Sequence, residues 1–350
     1  MNHGASLARP CVSVLMAVRD GGQFLAEAVA SIRWQSFRDW ELVVVDDGSA
    51  DGTDEVLQAA ACAERRIRVF RQERLGLVTA LNRAVAEARG EFFARMDADD
   101  LSHPHRLGRQ LAYLTAHPEV GVLGTAVRRF GAGCGIWRRP AEDAALRAAL
   151  LFEAPFAHPT VILRRSLWES AAGEGYREGF RAAEDIDLWE RLAPHTQFAN
   201  LREPLLDYRV HVAQVTSVAT EEMAQNGARV RRRWLHQLGL EPTVQEMARH
   251  EAIAWLRSGS TEDLLAAGEW LARLRTANDS SGLLDATALA RFLGRRWLEF
   301  CNAHSRLGWK AWRIYRRTAV AQYETAFRMR RLRFALLCAL RQPAIGGKHA

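Results

Sequence analysis

Along the first two hundred residues, apolar positions fall into two alternating patterns. One is the short, unbroken run rich in β-branched residues, at 11–18, 40–45, 67–70, 92–96, 120–123, 160–163 and 205–210. Runs of that length bounded by polar turn residues read as buried strands. The other is helical spacing, as with Phe24, Leu25, Ala28, Val29 and Ile32 across 23–35. The same spacing predicts helices over about 55–64, from Gly76 to Arg89, from His103 to Ala116, over 141–152, and from Glu184 to Arg191. Residues 131–140, rich in Gly and Arg, read as a loop. Strands alternating with helices predict an α/β chain with a mostly parallel central sheet.

From about residue 219 the pattern changes. Strand-like runs vanish and helical spacing dominates, with helices expected near 220–238, 243–257, 261–276, 285–302 and 305–338. The chain therefore reads as an α/β domain over 1–218 followed by an all-helical C-terminal region over 219–350.

Charge sharpens that division. The net charge is +7, and residues 219–350 hold 22 of the 48 basic and 12 of the 41 acidic residues. The extreme is 306–350, with eleven basic groups against one acid, Glu324. Trp309, Trp312, Tyr315, Tyr323, Phe327 and Phe334 are interleaved there. Rings at headgroup level with Arg on phosphates would suit an anionic membrane surface, giving peripheral contact through 306–338. The alternative is a helical cap with its rings packed inward and its arginines in water. No nucleic-acid recognition motif is visible, so nucleic acid is not an expected partner. Five scattered cysteines without a CxxC spacing suggest neither a zinc site nor a disulfide framework, and point to a reducing, cytoplasmic setting. Met1 to Pro10 lacks a signal-peptide core, and no window of transmembrane length is free of charge.

The candidate chemistry lies where strands end. In such sheets ligands bind beyond the carboxyl ends of the strands. Three of those ends carry charge: Arg19-Asp20, Asp46-Asp47, and Asp97-Ala98-Asp99-Asp100. Three acids at the tip of a buried strand repel one another and are costly to desolvate. Asp97-x-Asp99 reads as a carboxylate pair for a hard divalent metal, Mg²⁺ or Mn²⁺. The plainer reading is a solvated loop, or a helix cap before Leu101. Glu184 and Asp185 open a helix, where acids favour the dipole whatever else they do.

The order of these features resembles the family 2 glycosyltransferases of GT-A fold. The resemblance rests on Val12-Ser-Val-Leu-Met16, Val43-Val-Val-Asp-Asp-Gly-Ser49, Gly76-Leu-Val-Thr-Ala-Leu-Asn82, Ala94-Arg-Met-Asp-Ala-Asp-Asp100, His158-Pro-Thr160, Glu184-Asp185 and Tyr208-Arg-Val-His211. The wording around Asp97 is most similar to bacterial enzymes of exopolysaccharide and cell-surface glycan assembly. The resemblance implies a nucleotide-sugar site bordered by Ala17, Val18, Arg19, Asp46, Asn82 and Ala98. It implies that Asp47 meets the base, Asp97 the ribose and Asp99 the metal. It further implies Asp185 as catalytic base, with Glu184 the alternative, and His211 near the diphosphate or metal. His158 is a candidate acceptor contact or a structural residue.

The implied reaction is a metal-dependent, inverting transfer from a nucleotide-diphosphate sugar, a UDP-sugar first of all. Its acceptor would be a glycan or lipid-linked intermediate at the inner face of the cytoplasmic membrane. The rival reading is a GT-A scaffold that has lost catalysis. Two departures from the family matter. Ala17-Val18-Arg19-Asp20 replaces the frequent Pro-Val-Tyr-Asn. No Gln-x-x-Arg-Trp occurs, which argues for single, non-processive transfer.

Overall fold

The computed structural model describes residues 9–211, 220–323 and 328–342. The expected boundary near 218, the run Gln214-Val-Thr216-Ser217, and Glu324, Phe327 and Lys348 lie outside the described residues. The chain divides into two compact units, Met1–Asp143 with Pro155–Asn226, and Ala144–Ala154 with Gly227–Ala350. The second unit thus takes in a short segment from the middle of the α/β region.

The first unit opens with β1 (Val12–Val18), α1 (Leu25–Arg33), β2 (Trp40–Asp47), α2 (Thr53–Ala63), β3 (Ile67–Gln72), α3 (Leu77–Glu87) and β4 (Phe92–Arg95). Then come β5 (Leu101–Ser102), α4 (Arg106–Ala116), β6 (Val120–Gly131) and β7 (Gly135–Trp137); α5 (Asp143–Ala149) follows in the chain but belongs, after Asp143, to the second unit. After these lie β8 (Ile162–Arg164), α6 (Arg165–Ala171), α7 (Glu184–Leu192) and β9 (Gln197–Val210). The sheet order is β3-β2-β1-β4-β8-β6-β9-β5, with β7 paired to β6. The long ladders, β1 with β2 and β4, β2 with β3, and β6 with β9, are parallel, while the short ones through β5, β7 and β8 are antiparallel. A central parallel strand is covered on both faces, and Val12, Val14, Met16, Leu42 and Val44 are each fully buried.

Several elements differ from the sequence expectation. β6 runs to Gly131 and β9 begins at Gln197, far longer than 120–123 and 205–210. Gly121, Gly124 and the charged Arg128 and Arg129 interrupt the apolar signal of β6. Part of the loop expected over 131–140 pairs as β7. β5 and α6 were not anticipated, β5 because two residues carry no periodicity.

The second unit contains α8 (Thr220–Gln237), α9 (Val244–Ala254), α10 (Thr261–Ser281), α11 (Ala286–Ala303), α12 (Trp309–Arg317) and α13 (Arg328–Leu340). Capping boxes start α9 at Thr243/Glu246 and α10 at Ser260/Asp263. The single helix expected over 305–338 is instead broken. Ser305–Leu307 closes as a 3₁₀ turn, and Gly308 at φ +63° redirects the chain into α12. Thr318 is extended, and a second 3₁₀ turn spans Ala319–Tyr323. His250 is buried at the centre of this unit. Its Nε2 lies 2.7 Å from the Leu151 carbonyl, and its Nδ1 accepts from Trp270 Nε1 at 3.0 Å. That pairing fixes the neutral tautomer with the proton on Nε2. Among the described residues no helix is long and apolar enough to cross a membrane.

Candidate active site

Every candidate site residue belongs to the first unit. The strand ends of β1 and β2 are latched together. Asp20, at φ +51°, donates its amide to Ser49 Oγ at 2.9 Å and accepts from the Ala50 amide at 3.0 Å. Gly21 donates to Thr53 Oγ1 and Gly22 to Asp51 Oδ2. Ala17, Val18 and Arg19 therefore end against a braced loop. Asp46, 1% exposed, accepts from the Ser49 amide and hydroxyl through Oδ1, and its Oδ2 faces Arg71 at 3.7 Å.

Asp47 is also engaged internally. Its Oδ1 accepts from Gln72 Nε2 and the Leu75 and Gly76 amides, while Oδ2 accepts from the Gly76 amide at 2.9 Å. Gly76 sits at φ +100°, and a Cβ there would lie 2.7 Å from an Arg181 guanidinium nitrogen. The dihedral is what calls for glycine, since the Arg181 side chain could swing aside. Asn82 uses both ends of its amide on the Tyr176 backbone, at 2.7 and 2.9 Å. It positions the loop that carries Tyr176.

The acidic loop after β4 holds Asp97, Asp99 and Asp100 with one oxygen of each within 4.8 Å of the others. Asp97 is ion-paired with the buried Arg95. Asp99 Oδ2 lies 2.9 Å from His211 Nε2. The long β9 carries His211 to this loop. Asp100 is fully buried; Oδ1 accepts from the Arg209 amide at 2.8 Å, and Oδ2 has no hydrogen-bond partner. The cap reading of this loop is corrected here. β5 follows, α4 starts only at Arg106, and no side chain caps it. Asp100 instead ties the loop to β9.

Loss of water raises the pKa of both Asp97 and Asp100; Asp99 adds to each, and Arg95 opposes it. The counter-charge beneath is Arg106, 0% exposed, with Nη2 donating to the Arg95 carbonyl at 2.6 Å and Nε to Gln110 at 3.1 Å. Burial lowers the Arg106 pKa to about 9. Arg209 completes the support. Its Nε donates to the Asp99 carbonyl at 2.8 Å, and its guanidinium lies over Phe24 and Phe130 at 4.2 and 4.5 Å. Arg95 and Arg209 lie inside sequence motifs that assign them no task, and Arg106 carries no motif signal.

Glu184 and Asp185 open α7. Glu184 is 5% exposed, with Oε2 lacking a hydrogen-bond partner. Burial, then the Asp185 charge, raises its pKa to about 7. Asp185 is half-buried and accepts from the Ile186 amide at 2.7 Å. Desolvation raises its pKa, and the Arg95 charge lowers it. The Arg95 charge is thus felt at both the Asp97–Asp100 loop and the Glu184–Asp185 pair. His158 Nε2 lies 3.0 Å from the Tyr176 hydroxyl, and burial beside Arg95 holds the imidazole neutral, well below its ordinary range. Tyr176 was not anticipated; an isolated aromatic in a Gly-rich loop gives no sequence signal.

A mostly parallel sheet with an acidic loop at its carboxyl edge defines a GT-A nucleotide-sugar fold. The solved structure of S. aureus TarS 1–349 in complex with UDP-GlcNAc is similar, with a TM-score of 0.57 at 17% identity, covering 82% of this chain and 86% of that one. The mannosyltransferase PcManGT from Pyrobaculum calidifontis, in complex with GDP-Man and Mn²⁺, gives 0.51 at 19% identity over 96% and 87%. In sequence, the profile of Glycosyl transferase family 2 matches residues 13–170. The O-antigen biosynthesis glycosyltransferase WbnJ of Escherichia coli is 31% identical over 207 residues, which are 57% of this chain and 80% of WbnJ. The chain belongs to glycosyltransferase family 2 and is a glycosyl-transfer enzyme.

Proposed function

We propose that the protein is an inverting, non-processive glycosyltransferase using a nucleotide-diphosphate sugar, a UDP-sugar first of all, and a divalent cation. Its acceptor on this reading is a glycan or lipid-linked intermediate of cell-surface polysaccharide synthesis. The cluster of Asp97, Asp99 and Asp100, with the buried Arg95 paired to Asp97 and its charge felt at Glu184 and Asp185, carries it. The TarS and PcManGT complexes, with UDP-GlcNAc and with GDP-Man and Mn²⁺, support the donor class. On this reading residues 1–218 are the catalytic domain. Segment 306–338 makes peripheral contact with the inner face of the cytoplasmic membrane, and its positive charge supports that.

The acidic loop fits a hard cation. Its donors are carboxylate oxygens, and the buried Asp100 Oδ2 is without a partner. Asp99 would hold Mg²⁺ or Mn²⁺, with His211 beside it and Asp97 and Asp100 lending charge. A cation held there supplies positive charge to the leaving diphosphate. The chain's own residues do the rest. Arg209 and Arg106 fix the loop, Asp97 turns to the ribose, and Ala17 to Arg19, Asp46 and Ala98 border the nucleotide. Asp47 uses the remaining acceptor capacity of Oδ2 toward the base, while Asn82 serves through Tyr176. Asp185, the more exposed of its pair, takes the acceptor proton as the new bond forms. No second nucleophile is needed, so the anomeric configuration inverts. Glu184, whose pKa burial and the Asp185 charge raise to about 7, is the more buried of the two. His158, neutral and tied to Tyr176, lines the acceptor side.

A thermal-shift screen of UDP, GDP and their sugars, with and without Mn²⁺, tests the donor and cation together. A ligand at a hundredfold excess over its Kd adds ~2.7 kcal/mol to native stability. The expected result is a rise with a nucleotide plus Mn²⁺ that Asp99→Asn loses. No rise with any nucleotide would remove the reading.

A further inference from the structure

Helix α13 presents apolar side chains on two opposite faces. Inward, Phe334 and Cys338 are 0% and 1% exposed, and Phe334 packs with Trp312 and Tyr315, each at a ring separation of 5.6 Å. Outward, Met329, Leu332, Leu336 and Leu340 recur at helical spacing and are 77%, 62%, 59% and 55% exposed. Trp309 is 52% exposed and follows Gly308, which lies against the Arg341 side chain just past the end of α13. A helix that is apolar on both faces is normally covered on both. A stripe of this kind, rimmed by polar groups, marks an interaction surface.

Charge selects what covers it. Arg330, Arg333 and Arg341 flank the stripe and are exposed. In 306–350 eleven basic residues face a single acid. A second copy of this chain would bring those arginines against their own kind. An anionic bilayer offers both an apolar interior for the leucines and phosphates for the arginines. At 13 residues the helix is too short to span a bilayer, so it lies in the interface plane.

We propose that the outward face of α13, Met329-Leu332-Leu336-Leu340 with Trp309 at its end, seats in the surface of an anionic lipid bilayer. The inference rests on the reading of 306–338 as the membrane-facing segment and is independent of the sugar chemistry.

The test is co-sedimentation of the full chain with phosphatidylcholine vesicles, with and without phosphatidylglycerol. It is run for wild type and for Leu332→Gln with Leu336→Gln, a pair that removes apolar surface and leaves charge and helix propensity in place. The proposal expects wild type to bind only the vesicles holding phosphatidylglycerol, and the variant to bind them roughly tenfold more weakly or worse. Turnover of a soluble donor should be equal in both proteins. Equal vesicle binding by the two would overturn the stripe and leave the peripheral reading standing on charge alone. No vesicle binding by wild type would overturn both. Light scattering that shows a dimer dissolved by the substitutions would assign the stripe to a second copy instead.

Discussion

Buried charge is handled in opposite ways in the helical unit and at the carboxyl edge of the sheet. Among the described residues of the helical unit, the buried Arg231 and Arg296 sit beside acids. Glu153 receives Arg295 at 2.8 Å and Arg296 at 3.1 Å, and Arg231 is paired with Glu251. His250 has both ring nitrogens partnered. At the carboxyl edge of the sheet, acids are crowded against acids. Asp100 Oδ2 and Glu184 Oε2 lack hydrogen-bond partners, and Asp97, Asp100, Glu184 and Asp185 all feel the one Arg95 charge. Matched charge stabilises one arrangement of helices. Mismatched charge costs stability and persists where a ligand supplies the complement. That contrast marks where chemistry belongs.

The comparison can be broken by removing one charge from each side. The largest effect is expected for Glu153→Ala, which leaves Arg296, 1% exposed, with Glu299 alone at 3.3 Å. Breaking a buried pair typically costs about 3–5 kcal/mol. Denaturant unfolding followed by tryptophan fluorescence of the helical unit should show the loss. A change below about 1 kcal/mol would contradict the matched-charge account.

Acid should act on the same unit through His250. Burial holds its pKa at about 3, against 6.5 for the free side chain. The folded state therefore binds fewer protons, so stability is complete above 6.5 and is lost as pH falls toward 3. By pH 4 the loss is about 3 kcal/mol from this residue. Hydrogen exchange at α9 and α10 should quicken over that window, and His250→Gln should flatten the dependence.

An effect of similar size has the opposite sign. Glu184 keeps a pKa of about 7, raised from 4.5, so its ionisation opposes folding as pH rises through that interval. Glu184→Gln should raise melting stability at pH 8, by on the order of 3 kcal/mol, and do little at pH 4. A destabilised variant at pH 8 would place Glu184 among the matched groups.

The parts of the fold legible in the sequence were those written locally. β1, β2 and β4 are short apolar runs ending in charge, and the acids of 97–100 and 184–185 stand at those ends or at a helix start. What stayed hidden depends on contacts distant in sequence. Arg209 meets Asp99 and Asp100 more than a hundred residues away, and Arg106 reaches back under Arg95. Asp47 and Asn82 were legible as motif residues. Their bonds to Gly76 and Tyr176 were not, because partner choice is a property of the packed sheet edge. Helical spacing over 305–338 suggests one helix, whereas the backbone turns at Gly308 and again at Thr318.

The central claim is that the acidic loop and the α7 carboxylates are two halves of one site, one holding the donor and the other activating the acceptor. The direct measurement is sugar transfer or donor hydrolysis with Mn²⁺ by wild type, Asp99→Asn and Asp185→Asn. The account predicts that both variants lose about 10²–10⁴ in kcat, that Asp185→Asn still shows the Mn²⁺-dependent nucleotide shift, and that Asp99→Asn does not. Turnover at the wild-type rate in both variants would contradict it.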